Sequence, residues 1–177
     1  MSGTGCEASV WGQNKMSEEL ISMTFHVNGE PYQTQVKPQE LLIDFIRERL
    51  ALTGTKRSCD IEVCGTCTVL LEGKAVSSCS LFAFELDGRN LTTIEGLEGP
   101  HGLHPLQKAF IRCGGFQCGF CTPGMILLAK SLLTENPDPT REEVCAYMDA
   151  NICRCTGYQM IVESILHAAK EMQAANR

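Results

Sequence analysis

No apolar run in the 177-residue chain approaches the eighteen or so residues of a bilayer span; "MILLA", Met125 to Ala129, is about the longest. The N-terminus, "MSGTGCEASVWGQNKMSEE", lacks a basic start with an apolar stretch and lacks paired arginines, so no signal peptide is expected and the cytoplasm is the expected compartment. Positive charge is also short: 15 Lys and Arg against 21 Asp and Glu leave a net charge of −6 with no basic face for a phosphate backbone, so nucleic acid is not an expected partner. No Ser-His-Asp set, P-loop or GxGxxG fingerprint is present. "GTGC" and "GLEGPHG" are glycine clusters without a strand-to-helix setting. His26, His101, His104 and His167 have no ligand-like spacing and read as surface or satisfied polar groups.

What the chain does have is cysteine, eleven in all. Without a secretion signal, metal ligation is a stronger reading than a disulfide framework. Cys59, Cys64 and Cys67 in "CDIEVCGTC" are spaced C-x4-C-x2-C, and Cys79 follows at a distance; this is the plant-type arrangement for a [2Fe-2S] cluster. Such a loop must wrap three thiolates round one site, and Gly65 permits the close approach. Structural zinc is the competing reading, but it usually draws on short C-x2-C knuckles.

The surroundings read as a small sheet. Ile21, Met23, Phe25 and Val27 alternate, Asn28-Gly29 signals a hairpin, and Tyr32, Thr34 and Val36 resume the alternation. "PQELLIDFIRERLALTG" places Leu42, Phe45, Ile46 and Leu50 near helical spacing. "TVLLEG", "KAVSS" and "NLTTIEG" read as three short strands. The pattern beyond about residue 105 turns helical. Four helices are expected: "LQKAFIRCG"; "PGMILLAKSLLTEN" with Thr122 as N-cap and Pro123 at N1; "PTREEVCAYMDA" with a Thr140/Glu143 capping box; and "YQMIVESILHAAKEMQAA" with Ile161, Ile165, Ala169 and Met172 on one stripe. The fold class is therefore α+β. A tail (1–19) precedes a β-grasp ferredoxin domain (20–96), a linker rich in Gly and Pro (97–105) and a helical bundle domain (106–177).

Two further cysteine pairs, Cys118/Cys121 in "QCGFCTPGM" and Cys153/Cys155 in "NICRCTGY", each precede one of these helices. Helix N-terminal amides favour an anionic cluster, so the bundle can hold a second [2Fe-2S] cluster once helix packing brings the pairs together. Zinc or a redox-active dithiol remain open readings of this spacing. Cys113 and Cys145 read as small core residues and Cys6 as a free thiol in a tail, where Trp11 could meet a partner.

Taken together, "CDIEVCGTC…SC", "QCGFCTPGM" and "NICRCTGY" resemble the small iron-sulfur subunit of the molybdenum hydroxylases, the xanthine oxidase family, from about residue 20 onward. The resemblance implies a large molybdopterin subunit, often with the cofactor as its cytosine dinucleotide, a medium FAD subunit, and a doubled heterotrimer. It also implies that the cluster held by Cys118, Cys121, Cys153 and Cys155 lies nearest the molybdopterin, with Gln117 and Cys155 against the pterin. The cluster held by Cys59, Cys64, Cys67 and Cys79 is then the relay toward the flavin. Ser58, Thr66 and Ala150 depart from the commoner family residues. The expected role is electron transfer during hydroxylation of a small substrate, an aromatic N-heterocycle first, with carbon monoxide, aldehydes and purines as alternatives. A free-standing two-cluster ferredoxin is the contrasting reading.

Overall fold

The computed structural model describes residues 19–100 and 102–175. Cys6, Trp11 and nearly all of the expected tail, as well as His101, lie outside them.

The alternating apolar residues of β1 (Ile21–Val27) turn Met23 and Phe25 into a core, and Asn28-Gly29, both with positive φ, reverse the chain into β2 (Glu30–Val36). β1 and β2 pair antiparallel from Ile21 opposite Val36 to Val27 opposite Glu30. A helix follows, but not the regular one expected from the spacing of Leu42, Phe45, Ile46 and Leu50. α1 (Leu42–Asp44) opens at once into a π-helical stretch, Phe45–Arg49, in which the Leu50 amide reaches back to the Phe45 carbonyl. The wider turn still buries Leu42, Phe45 and Ile46 against the sheet, where Phe45 meets Phe25 edge-on at 5.7 Å. Arg47 stiffens the exit by donating to the carbonyls of Thr53 (3.1 Å) and Thr55 (2.7 Å), ahead of the first cysteine loop.

β3 (Thr68–Leu71) and β4 (Lys74–Ser77) form a hairpin, and β5 (Asn90–Thr92) completes a five-stranded sheet in the order β2-β1-β5-β3-β4. β5 runs parallel to β1 and antiparallel to β3, the mixed arrangement of a β-grasp fold. The expected last strand is shorter than "NLTTIEG": Ile94–Leu97 is a 3-10 turn, held by reciprocal bonds between Asn28 and Thr93.

All four residues of β3 are buried. Val69 and Leu71 join the core beneath α1, while Leu70 joins the core of the helical half, so this strand is covered on both faces. The helices are α2 (Pro105–Cys113), α3 (Thr122–Glu135), α4 (Arg141–Met148) and α5 (Gln159–Ala175). α3 lies against β3 and is buried along most of its length; α5 packs chiefly on α2 and also on α4. The expected α5 stripe holds, with Ile161, Ile165 and Ala169 buried and Met172 partly so. The Thr140/Glu143 capping box is present in both directions, 2.7 and 3.2 Å. Cys145 is exposed, and Cys113 is half-buried at the C-terminal end of α2, which corrects the expectation that both are core residues. Among the described residues no helix is long and apolar enough to cross a membrane.

One histidine has a structural task. His104 caps α2: its Nδ1 accepts from the Leu106 amide at 3.2 Å, and its own amide donates to Gln107 Oε1 at 2.8 Å. Burial, then Lys130 and Lys108, push its pKa from 6.5 down to about 4. The unfolded chain therefore binds the extra proton first as pH falls, and stability drops across the window from about 6.5 to about 4. His104→Asn keeps a capping acceptor and removes the titration. Thermal melts at pH 7 and pH 4.5 should show a smaller acid-induced fall in midpoint for this variant than for the native chain, while His104→Ala should lose about 1 kcal/mol at pH 7.

Candidate metal centre

The first cysteine loop leaves the π-helical stretch and winds round its own sulfurs. Asp60 and Glu62 both adopt φ of +58°, and Gly65 +65°, a conformation that costs an ordinary L residue about 1 kcal/mol. The alternation turns successive amides inward. Those of Ile61, Cys64 and Val63 donate to Cys59 Sγ, the Cys64 contact being 3.4 Å, and they hold its pKa down at about 6. The Glu62 amide donates to the sulfur of Cys79, which stands two residues beyond β4. Burial nevertheless pushes the Cys79 thiol up to about 11. Cys67 and Cys79 are both buried, in contact with each other and with Ile43, and Ser78 ties the two segments by donating to the Cys67 carbonyl at 2.7 Å. The loop thus combines a concave set of amides with a buried thiol pair, a nest suited to an anionic sulfur cluster.

In the helical half, Cys118 and Cys121 approach α3, with Cys121 itself at the N-cap. Thr122, the expected cap, is instead the first helical residue, and its buried hydroxyl has no partner. The other pair does not ride directly on a helix N-terminus as expected. Cys153 and Cys155 belong to a loop that ends only at Gly157 and Tyr158, both with positive φ, before α5 begins at Gln159. Tyr158 braces that loop: its hydroxyl accepts from the Cys153 amide at 2.8 Å and donates to the Asn151 carbonyl at 3.2 Å. This loop, rather than packing of α3 on α5, carries the second pair to the first. Cys155 Sγ comes to 3.7 Å from Cys118 Sγ, and Cys153 meets Cys121. Burial pushes Cys121 up to about 12. Burial acts in the same direction on Cys153, but hydrogen bonds from the Thr156 side chain and amide outweigh it and its pKa is lowered.

The eight thiols therefore meet in pairs: Cys59 with Cys64, Cys67 with Cys79, Cys118 with Cys155, and Cys121 with Cys153. Among the described residues no group of three or more His, Cys, Asp or Glu closes round a single ion. Two thiolates for each of two irons fit this pairing better than one tetrahedral zinc. The buried thiols Cys79 and Cys121 also fit, because metal charge is what a desolvated thiolate lacks.

The two nests touch. The Ile152 amide, one residue before Cys153, donates to the carbonyl of Cys64 at 2.9 Å. Asn151 is buried between the loops, its Oδ1 3.3 Å from Thr68 Oγ1, and it fills the space beside Gly65 and Gly124. A Cβ on Gly65 would stand 1.5 Å from Asn151 Oδ1, and one on Gly124 would stand 2.6 Å from the Gly65 carbonyl. A cavity of about 210 Å³ lies at the junction, lined by Cys64, Thr66, Cys118, Cys121, Cys153 and Cys155 among others. Sequence reasoning misses Asn151; its place before Cys153, together with two glycines that must admit something, is the available signal. Gln117 is exposed beside the exposed Cys118, with Phe116 and Phe120 also exposed, so this end of the junction opens to the surface.

Gly65→Ala combines a left-handed φ with a clash against a buried side chain, and should cost roughly 2–4 kcal/mol. Melting of the purified chain together with its iron content should both fall; an unchanged midpoint would contradict the close approach.

Comparison with known proteins agrees with this arrangement. A "2Fe-2S iron-sulfur cluster binding domain" matches residues 25–94 and a "[2Fe-2S] binding domain" matches residues 93–166. The chain is 40% identical over 166 residues to a probable xanthine dehydrogenase subunit of Bacillus subtilis (strain 168), covering 94% of each chain. It is 44% identical over 158 residues to the nicotine 6-hydroxylase small subunit of Paenarthrobacter nicotinovorans, covering 89% of this chain and 95% of that one. In the crystal structure of quinoline 2-oxidoreductase from Pseudomonas putida 86, a chain 41% identical superposes with a TM-score of 0.84 over 89% of this chain and 99% of that one. Paired thiols in two touching nests, two cluster-binding domains and full-length relatives lead to one conclusion: the chain belongs to the small [2Fe-2S] electron-transfer subunits of the molybdenum hydroxylases.

Proposed function

We propose that Cys59, Cys64, Cys67 and Cys79 hold one [2Fe-2S] cluster, that Cys118, Cys121, Cys153 and Cys155 hold a second, and that the chain carries single electrons between them. A bound [2Fe-2S] cluster takes up and gives back one electron at a time. The observation that carries this reading is the hydrogen bond from the Ile152 amide to the Cys64 carbonyl, which joins a residue next to one ligand set to a member of the other. The chain then needs no substrate pocket of its own. Its loops would bring the two ligand sets together, with Asn151 and Thr66 buried between or beside them, and leave one edge of the second site open at Cys118 and Cys155.

On this reading the open edge faces the molybdopterin of a large subunit, in its cytosine dinucleotide form, with Gln117 and Cys155 against the pterin. The Cys59 loop faces the FAD of a medium subunit. The three chains form a doubled heterotrimer in the cytoplasm, and this chain divides at 97–105 into a sheet domain and a helical domain. The substrate is an aromatic N-heterocycle, in keeping with relatives named for nicotine and quinoline.

Cys121→Ser should remove one of two distinguishable paramagnetic signals from the dithionite-reduced protein and loosen the helical half, whereas Cys113→Ser should leave both. Loss of a signal in the Cys113 variant would overturn the ligand assignment. Purification of the native assembly should yield two larger chains with molybdenum and FAD, and a panel of N-heterocycles with a dye acceptor should contain its substrate; a lone red-brown monomer reducing unrelated acceptors would contradict the partner assignment.

A further inference from the structure

Asp60 and Glu62 are left-handed without glycine's freedom, and Asp60 is held from outside the Cys59–Cys64 loop. Arg57 supplies that hold. Its Nε lies 3.0 Å from Asp60 Oδ1 and 3.1 Å from Asp60 Oδ2, and its Nη1 bonds Asp44 Oδ1. Asp44 closes α1 directly before the fully buried Phe45, so the far end of this chain of charges is anchored in the sheet core. Asp44, Asp60 and Glu48 all face the guanidinium, and the amides that Asp60 and Glu62 turn inward are those that meet Cys59 and Cys79.

We propose that Arg57 is a positioning residue for the first cluster: its planar fork pins Asp60 to Asp44, keeps the amide nest of the cysteine loop turned toward the sulfurs, and sets the potential of that cluster alone. The inference rests on the ligand assignment proposed above. A guanidinium can span two carboxylates with separate nitrogens, which a lysine ammonium does not reproduce in the same plane. Reduction adds a negative charge to the cluster, and the inward amides favour the reduced form. Losing the fork should therefore lower the potential of this cluster by loosening those amides, and leave the second cluster, on the far side of the loop contact, where it was.

The test is a redox titration followed by electron paramagnetic resonance, with amide hydrogen exchange at Ile61–Cys64, on the intact assembly carrying native, Arg57→Gln or Arg57→Lys small subunit. Arg57→Gln should shift the midpoint of the first cluster downward and speed exchange at these amides roughly two- to fivefold, the effect expected for losing an exposed ion pair. Arg57→Lys, which keeps the charge but cannot reproduce the fork, should move both readouts nearly as much. An Arg57→Gln variant with both readouts unmoved, or with both clusters shifted equally, would overturn the inference. The ligand assignment is checked separately in the native background: if Cys59→Ser removes neither paramagnetic signal, that assignment fails, and the Arg57 inference fails with it.

Discussion

Two cysteine loops from different halves of the chain are held at van der Waals contact, and the remaining architecture serves that contact. It exists because Gly65 and Gly124 leave no side chain in the gap, because Asn151 fills what they leave, and because one backbone hydrogen bond links Ile152 to Cys64. A single methyl group at either glycine would force the loops apart. The sheet and the helices share β3, buried on both faces, so the two nests are fixed relative to each other by a common core rather than by a hinge.

The two nests handle negative charge differently. In the first, left-handed residues turn amides onto Cys59, lowering its pKa, while Cys79 is buried and raised. In the second, Cys121 caps the N-terminus of α3, but Cys153 and Cys155 depend on Thr156, Tyr158 and the amides of their own loop. Burial, amides, hydroxyls and neighbouring sulfurs, rather than protein cations, set the shifts of these thiols. A buried thiolate that lacks a counter-charge favours metal, so metal binding and completion of the fold are expected to be coupled. Membership of the molybdenum hydroxylase small subunits rests on the two cluster-binding domains and on relatives that match most of the chain.

Much of this is legible in the sequence, because cysteine spacing is a direct record of loop geometry. C-x4-C-x2-C, the C-x2-C before Thr122-Pro123 and the C-x-C before α5 each mark their loops, and alternation marks β1 and β2. What is not legible depends on contacts across the chain. The spacing of Leu42, Phe45, Ile46 and Leu50 suits both an α-helix and a turn widened to π, and only packing on the sheet decides between them. Thr122 looks like a cap because threonine before proline usually is one, yet Thr122 is itself the first helical residue and Cys121 holds the N-cap. Cys145 reads as core because it lies between Val144 and Tyr147, but α4 buries only one narrow flank. Asn151 gives only a faint warning, its place two residues before Cys153, because the glycines it packs against lie far away in sequence.

The central claim is that eight sulfurs hold two separate diiron clusters. Mössbauer spectroscopy of the anaerobically isolated, iron-57-enriched assembly, combined with inorganic sulfide analysis, tests it most directly. The account predicts four irons and four sulfides for each copy of this chain, all in tetrahedral sulfur sites of two-iron clusters; zinc in either nest, or half that iron and sulfide, would contradict it.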